Sequence, residues 1–222
     1  MAENILRFIY GTGNDAKLQS MRRTLEGLPI ELTGMSQVAA NRGIEIPEVK
    51  ETGDNPLENA RIKAEFYYQL FKAPVFSCDS GLYLWNYETG ELFPEKMQPG
   101  IHVRGRDGRR HSDDELIEHY TGLVREYGPI LARYKNGISL ILDKDHRWES
   151  MDKSLWGEAF LLTDKPHEKR VNGFPLDSIS LEISTGKYYY DLEGNFQDQV
   201  AAEKGFRHFF EQIVNEVFFC GE

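Results

Sequence analysis

The stretch that decides the fold is NILRFIYGTGNDAK, residues 4–17. Residues 4–10 are short, mostly apolar and followed at once by Gly11, a pattern that predicts a buried β-strand ending in a tight turn. Asn14 is a favoured N-cap residue and predicts a helix from about residue 15 to 26. A strand joined to a helix by a short glycine-rich turn is typical of α/β folds.

Further helices and strands are predicted on both sides of a central antiparallel region. The predicted helices are 56–72, 113–128 and 199–219. The first of these starts at Asn55 and Pro56, and Ser112 is a strong N-cap of the second, followed by an acidic first turn that includes Glu115. The predicted strands are 30–35, 73–78 and a set within 130–163 that includes a hairpin around 143–146 and a strand at 154–162. Residues 87–111 predict a long loop, and residues 171–183 and 187–191 predict loop with short strands. We therefore expect an α/β fold with a mixed sheet and flanking helices. Residues 1–222 would form a single two-lobed domain with the active site in the cleft between the lobes.

Composition and charge exclude several classes of protein. The chain has 222 residues and a formal net charge of −10, so a broad nucleic-acid-binding surface is not expected. No apolar run approaches the roughly 20 residues that cross a bilayer, and the N-terminus lacks the pattern of a signal peptide. Two cysteines provide no disulfide framework, which favours the cytoplasm.

The turn GTGNDAK, residues 11–17, is a candidate anion site. Backbone N–H groups at a helix N-terminus bind anions, glycines let a phosphate come close, and Lys17 adds a positive charge one turn into the helix. The spacing differs from that of a Walker A motif. The alternative is an ordinary strand-to-helix turn with a surface lysine.

Carboxylates form the second group of candidates. Asp79 and Ser80 directly follow the predicted strand 73–78, where ligands of open α/β sheets bind, although Asp-Ser-Gly is also a common turn. Glu48, Glu51 and Glu58 are hard oxygen ligands that suit Mg²⁺. The alternative is an acidic loop exposed to solvent, which would contain the same residues without binding a metal.

Other chemistries lack their motifs. The six histidines have no HxxxH or HExxH spacing and the cysteines form no pair, so a zinc site is not expected. The absence of GxSxG leaves a serine-hydrolase elbow unsupported.

Taken in order, the motifs resemble those of the inosine/xanthosine triphosphate pyrophosphatase family. The matching segments are TGNDAK at 12–17, ETG at 51–53, ENARIKA at 58–64, CDSGL at 78–82, and Pro99-Gly100 followed by Arg104. The second half departs from the family. Its base loop G-F-G-[YW]-D-P is Gly173-Phe174-Pro175-Leu176-Asp177-Ser178 here, its S-H-R segment is absent, and Cys78 replaces the first acid of its carboxylate pair.

The resemblance implies hydrolysis of non-canonical purine nucleoside triphosphates (ITP, dITP and XTP) to the monophosphate and pyrophosphate, which cleanses the nucleotide pool. It also implies Mg²⁺, with Mn²⁺ as a substitute, and a homodimer. It assigns phosphate binding to Thr12, Gly13, Asn14, Lys17, Lys63, Ser80 and Arg104. The metal would be held by Glu48 and Asp79, and Asp79 would also be the catalytic base. The base would be bound by Phe174, Asp177, Lys204, Arg207 and His208.

Two alternatives remain open. The altered base loop, with Leu176 where the family has an aromatic residue, favours a pyrophosphatase for another modified nucleotide, including a pyrimidine. If Leu176 faces the base, Phe174 is left as the stacking partner, and a Leu176→Trp variant should bind purines more tightly. The loss of the paired carboxylate at Cys78 favours a nucleotide-binding protein without catalysis.

Overall fold

The computed structural model describes residues 5–105, 109–192 and 202–219, and its element order confirms the predicted α/β class. The helices are α1 Asp15–Thr24, α2 Met35–Arg42, α3 Pro56–Phe71, α4 Asp113–Tyr127 and α5 Ala202–Phe219. The strands are β1 Leu6–Tyr10, β2 Ile30–Gly34, β3 Val75–Asn86, β4 Ile130–Ile141, β5 Arg147–Ser150, β6 Phe160–Leu162 and β7 Ser180–Leu181. Short 3₁₀ helices lie at Glu95–Met97, Lys153–Leu155, Pro175–Ile179 and Tyr189–Asp191. Within these described ranges, no helix has the length and apolar character needed to cross a bilayer.

The strands form the predicted mixed sheet, which has seven strands within the described part of the chain. Its order is β2-β1-β3-β4-β6-β7, and β5 pairs with β4. β1 runs parallel to β2 and β3, whereas β4 pairs antiparallel with β5 and β6, and β6 with β7. The parallel part therefore lies at the N-terminal end of the chain, where the strand–turn–helix motif was predicted.

Helix ends agree with the caps expected from the sequence. Asn14 and Asn55 cap α1 and α3 through their side chains, and Pro56 occupies the first position of α3. Ser112 and Glu115 form a capping box at the start of α4. These are interactions between residues three apart, so local sequence is enough to predict them.

Two predicted strands have different boundaries in the structure, and one helix was not predicted. The strand predicted at 73–78 continues to Asn86, because its polar residues find hydrogen-bond partners inside the fold. Helix α2 was not predicted; it has eight residues, with only Met35 and Ala39 buried, and so lacks a long apolar pattern. The strand predicted across 154–162 is shortened to β6, and residues 153–155 form a 3₁₀ turn. The predicted start of the closing helix at 199 lies outside the described residues.

Two compact units make up the chain. The first contains residues 1–80, 136–156 and 201–222, and the second contains 81–135 and 157–200. In the first unit, Phe210 of α5 packs between Phe8 and Phe76, with ring centroids 6.1 and 5.1 Å away. In the second unit, α4 covers β4 and β6 through a separate apolar core. That the active site lies in a cleft between two lobes stays a prediction.

Candidate active site

The turn between β1 and α1 presents an exposed helix N-terminus in the first unit. Asn14 accepts a hydrogen bond from the backbone N–H of Lys17 at 3.1 Å, and Thr12 accepts one from the N–H of Asn14 at 3.2 Å. A side chain at Gly11 would collide with Ser77 Oγ and with the Tyr67 ring, at 2.6 Å. Packing therefore requires glycine there, while Gly13, Asn14 and Lys17 remain exposed to a ligand.

Lys63 joins two carboxylates in the same unit. Its Nζ donates to Asp79 Oδ1 at 2.9 Å and to Glu51 Oε2 at 3.1 Å, and only 13% of its side chain is exposed. Burial opposes the charge on Lys63, but the charges and hydrogen bonds of Asp79 and Glu51 outweigh it, and the pKa of Lys63 is raised. Lys63 is therefore a fixed cation beside two carboxylates.

Asn59 orients Asp79 and was not predicted as a site residue. Its side chain is buried and donates from Nδ2 to Asp79 Oδ2 at 3.1 Å. Its Oδ1 accepts the backbone N–H of Gly53 at 2.9 Å. These two hydrogen bonds give the ETG and ENA motifs a physical basis, because the side-chain amide of Asn59 links the loop at Gly53 to the carboxylate of Asp79. The sequence signal that could have identified Asn59 is a polar amide side chain next to Ala60, on the apolar face of the predicted helix 56–72.

Cys78, in place of an acid, carries no charge at neutral pH. Burial raises the pKa of its thiol to about 12, despite a hydrogen bond from Tyr10 and the positive charges of Lys17 and Lys63. The backbone N–H of Gly11 donates to the carbonyl oxygen of Phe76 at 2.8 Å, so the turn that begins the predicted anion site lies beside the segment of β3 that leads to Cys78 and Asp79.

Asp79 and Ser80 lie within β3, which corrects the prediction that they follow a strand end. The parallel partner β1 ends at Tyr10, opposite Phe76, so both residues lie beyond the part of β3 that pairs with β1. Ser80 Oγ donates to Asn136 Oδ1 at 2.6 Å. The predicted contact of Ser80 with phosphate remains a prediction.

Carboxylates are the type of ligand that Mg²⁺ prefers, although those of the described residues are not arranged as a complete metal site. Among the described residues, no group of three or more His, Cys, Asp or Glu side chains is arranged to hold a metal. Mg²⁺ is usually bound by one or two carboxylates, with substrate phosphates and water supplying the rest. Asp79 and Glu51 already converge on one cation, Lys63, and meet that requirement. Glu48 is exposed, and its part as a ligand remains a prediction.

Residues predicted to bind the base lie partly in the second unit. Phe174 is 57% exposed, and burial raises the pKa of Asp177, three residues later, to about 6. Arg104 donates to Asp113 Oδ1 at 2.9 Å and to the carbonyl oxygen of Gly173 at 2.8 Å. This loop therefore presents one exposed ring and one carboxylate that is readily protonated.

Leu176 lies in the core, contrary to the expectation that it faces the base. It is 5% exposed and packs with the apolar side chains of α4 and β6. The loop turns into a 3₁₀ helix at Pro175, which directs Leu176 inward while Phe174 stays outside. An aromatic residue at this position would meet the core rather than a ligand.

Two of the predicted residues on α5, Arg207 and His208, have hydrogen-bond partners in the first unit. Arg207 donates to the carbonyl oxygens of Thr24 and Glu26 at 3.0 and 2.9 Å, which satisfies the backbone at the end of α1. Lys204 is exposed, and His208 is exposed beside Gln212. Base binding by these α5 residues remains a prediction.

Comparisons with known proteins bear on the family and the fold of the chain. Residues 8–174 match the model of the Ham1 family. A protein of Thermoanaerobacter sp. named dITP/XTP pyrophosphatase is 32% identical over 84% of this chain and 85% of its own length. One of the same name from Porphyromonas gingivalis is 30% identical over 62% of this chain, and the match spans only 64% of that protein. The Staphylococcus aureus Ham1 structure superimposes with a TM-score of 0.68 at 20% identity, covering 93% of this chain and 99% of that one, which supports the fold.

Proposed function

Because the chain belongs to the Ham1 family, we propose that it hydrolyses the deaminated purine nucleoside triphosphates dITP, XTP and ITP to the monophosphate and pyrophosphate. The name dITP/XTP pyrophosphatase of its relatives supports this reaction class. The resemblance identified from the sequence motifs is confirmed at the level of the family. Cleansing of the nucleotide pool is part of the same proposal.

The single observation that carries the proposal is the cluster around Cys78. Lys63 pairs with Asp79 at 2.9 Å next to the partly buried Cys78, just beyond the part of β3 that runs parallel to β1. The Gly11 N–H, at the start of the turn that leads to the exposed N-terminus of α1, donates to the Phe76 carbonyl oxygen at 2.8 Å. A triphosphate needs converging cations in a protein with a net charge of −10. In phosphoryl-type transfer, positioning and charge neutralisation supply most of the catalysis.

Each residue of this cluster has a task in the proposed reaction. The N–H groups at the start of α1, with Lys17 and Lys63, bind phosphate oxygens. Asp79 accepts a proton from the attacking water while the water oxygen bonds to the α-phosphorus. The bond to the bridging oxygen breaks, and pyrophosphate leaves with its electron pair. Asn59 holds Asp79 in place throughout, and Ser80 lies next to it to contact a phosphate oxygen.

We propose Mg²⁺ as the cofactor, with Mn²⁺ as a substitute. Asp79 and Glu48 are the predicted ligands, and Glu51 joins them because it shares Lys63 with Asp79. The ion would neutralise charge on the triphosphate and orient it.

For the base, we propose stacking on Phe174, whose ring is exposed. Asp177, Lys204, Arg207 and His208 are the proposed contacts to its edge. Since Leu176 is buried, base preference rests on those residues and on Phe174 alone. A homodimer and a cytoplasmic location are proposed from the resemblance.

The test is pyrophosphate release from a panel of triphosphates. dITP, XTP, ITP, GTP, ATP and the pyrimidine triphosphates are compared at equal concentration with Mg²⁺, Mn²⁺ or Zn²⁺, and with excess EDTA. We expect the highest kcat/KM for the deaminated purines, little support by Zn²⁺ and no release in EDTA. Preference for a pyrimidine would overturn the substrate assignment, and full activity in EDTA would overturn the metal assignment. Binding without pyrophosphate release would identify a nucleotide-binding protein.

A further inference from the structure

In the second unit, the ion pair between Arg104 and Asp113 forms hydrogen bonds with both the backbone N–H and the backbone carbonyl oxygen of Gly173. Asp113, the first residue of α4, accepts the Arg104 guanidinium on Oδ1 at 2.9 Å and the Gly173 N–H on Oδ2 at 2.7 Å. The same Arg104 nitrogen donates to the Gly173 carbonyl oxygen at 2.8 Å. Three charge-assisted hydrogen bonds thus close a triangle around Gly173, which we call the Gly173 clamp.

The loop that contains Gly173 has few other interactions to hold its backbone in one conformation. Gly173 has a φ of +87°, a left-handed conformation that glycine adopts without strain but does not maintain by itself. Around it, residues 171–174 are all exposed, so side-chain packing contributes little to their order. The hydrogen bond from Gly173 and the charge of Arg104 keep the pKa of Asp113 low, so the ion pair persists at neutral pH.

The residue after Gly173 is Phe174, the exposed ring proposed to stack on the base. Its backbone N–H donates to the Val171 carbonyl oxygen at 3.0 Å, which completes the turn. The direction of the ring therefore depends on the backbone that the clamp holds. A stacked base gains about 1–3 kcal/mol only if the ring is already in place.

We propose that Asp113 and Arg104 are positioning residues that hold Gly173 and thereby orient Phe174 for base recognition. This inference rests on the proposed function. It gives Arg104 a different task from the phosphate contact predicted from the sequence, and it assigns a role to Asp113, which the sequence did not mark. If Arg104 contacts phosphate, its substitution should weaken the binding of tripolyphosphate, which has no base. If Arg104 holds Gly173, tripolyphosphate binding should be unchanged.

The experiment compares Asp113→Asn and Arg104→Lys with the control Asp114→Asn. Asp114 lies in the same first turn of α4, is exposed and has the same charge, so it controls for charge near the helix N-terminus. The readouts are kcat and KM for dITP and GTP, inosine affinity by calorimetry, and inhibition by tripolyphosphate.

We expect Asp113→Asn to raise KM for dITP about tenfold and to weaken inosine binding, as loss of an orienting partner typically does, with kcat within about threefold. The dITP:GTP ratio of kcat/KM should fall, while tripolyphosphate inhibition stays unchanged. Arg104→Lys should act in the same direction, because a lysine cannot serve Asp113 and the Gly173 carbonyl in the same geometry. Asp114→Asn should resemble the wild type.

Two results would overturn the clamp. If Arg104→Lys weakens tripolyphosphate and dITP equally while Asp113→Asn spares both, Arg104 contacts phosphate. If neither variant changes inosine affinity or KM, Phe174 needs no clamp. Failure of the proposed function looks different, since the wild-type protein would then release no pyrophosphate from any triphosphate.

Discussion

The ammonium nitrogen of Lys63 lies 2.9 Å from Oδ1 of Asp79, a residue of β3. The pair brings a cation and a carboxylate into contact at a largely buried point, with side-chain exposures of 13% and 18%. Solvent screening is weak at such a point, so each charge strongly affects the other. A bound triphosphate would compete with Asp79 for Lys63, and that competition links substrate binding to the proposed base.

We predict that Asp79→Asn lowers kcat for dITP by about 100-fold or more, the usual effect of losing a general base. Asparagine has nearly the same shape, so the fold should be retained. Pyrophosphate release and thermal unfolding measure the two effects. Asp145→Asn, in the exposed hairpin turn, is the matched control and should be fully active. Near-wild-type turnover in a folded Asp79→Asn protein would remove Asp79 from the mechanism.

Lys17→Ala and Lys63→Ala should weaken binding of the triphosphate more than binding of the nucleoside. Each lysine offers phosphate a charge-assisted hydrogen bond worth roughly 1.5–3 kcal/mol, or about tenfold and more in affinity. Calorimetric titrations with ITP and inosine provide the comparison. Lys144→Ala, at an 87% exposed side chain, should change neither affinity. Equal losses for both ligands would place these lysines away from the phosphates.

Cys78 should resist alkylation in the native protein. Because burial raises the pKa of its thiol to about 12, the thiolate is about 1,000 times scarcer than for a free cysteine. The two cysteines are Cys78 and Cys220, so a Cys220→Ser variant isolates the first. Iodoacetamide labelling at pH 8 should be slower by about that factor in the native state than in urea. Similar rates in both states would contradict the raised pKa of this thiol.

Asp177 should make stability depend on pH in the weakly acid range. Burial raises the pKa of Asp177 to about 6, whereas an unfolded aspartate titrates near 3.9. The folded state therefore holds this proton more tightly, and the stability contributed by Asp177 falls as pH rises from about 4 to about 6. Asp177→Asn does not ionise, so its Tm relative to wild type should rise over that interval.

Melting curves at pH 4.5 and 7.5 check this prediction, with Asp145→Asn as the exposed control. A Tm difference between Asp177→Asn and wild type that stays constant, or that falls towards pH 7.5, would show that Asp177 titrates normally in the folded protein.

Much of the first unit was predictable because its signals are local. Asn14 and Asn55 were recognisable as caps, since the side chain of each accepts a hydrogen bond from a backbone N–H three residues later. The family motifs also lie mostly within this unit. The boundaries of β3 and the burial of Leu176 were not predictable, because both depend on which distant groups face each residue.

By itself, the sequence determined the strand–turn–helix beginning, the helix caps, the α/β class and the family. Only the tertiary structure decided that Lys63 joins Asp79 and Glu51, that Asn59 orients Asp79, and that Asp113 and Arg104 hold Gly173. The physical reason is the separation of the partners along the chain. Hydrogen bonds that link residues 16, 20, 60 and 69 positions apart form only after the strands and helices have packed. A cap is complete within one turn of helix, whereas a site like this one exists only in the folded chain.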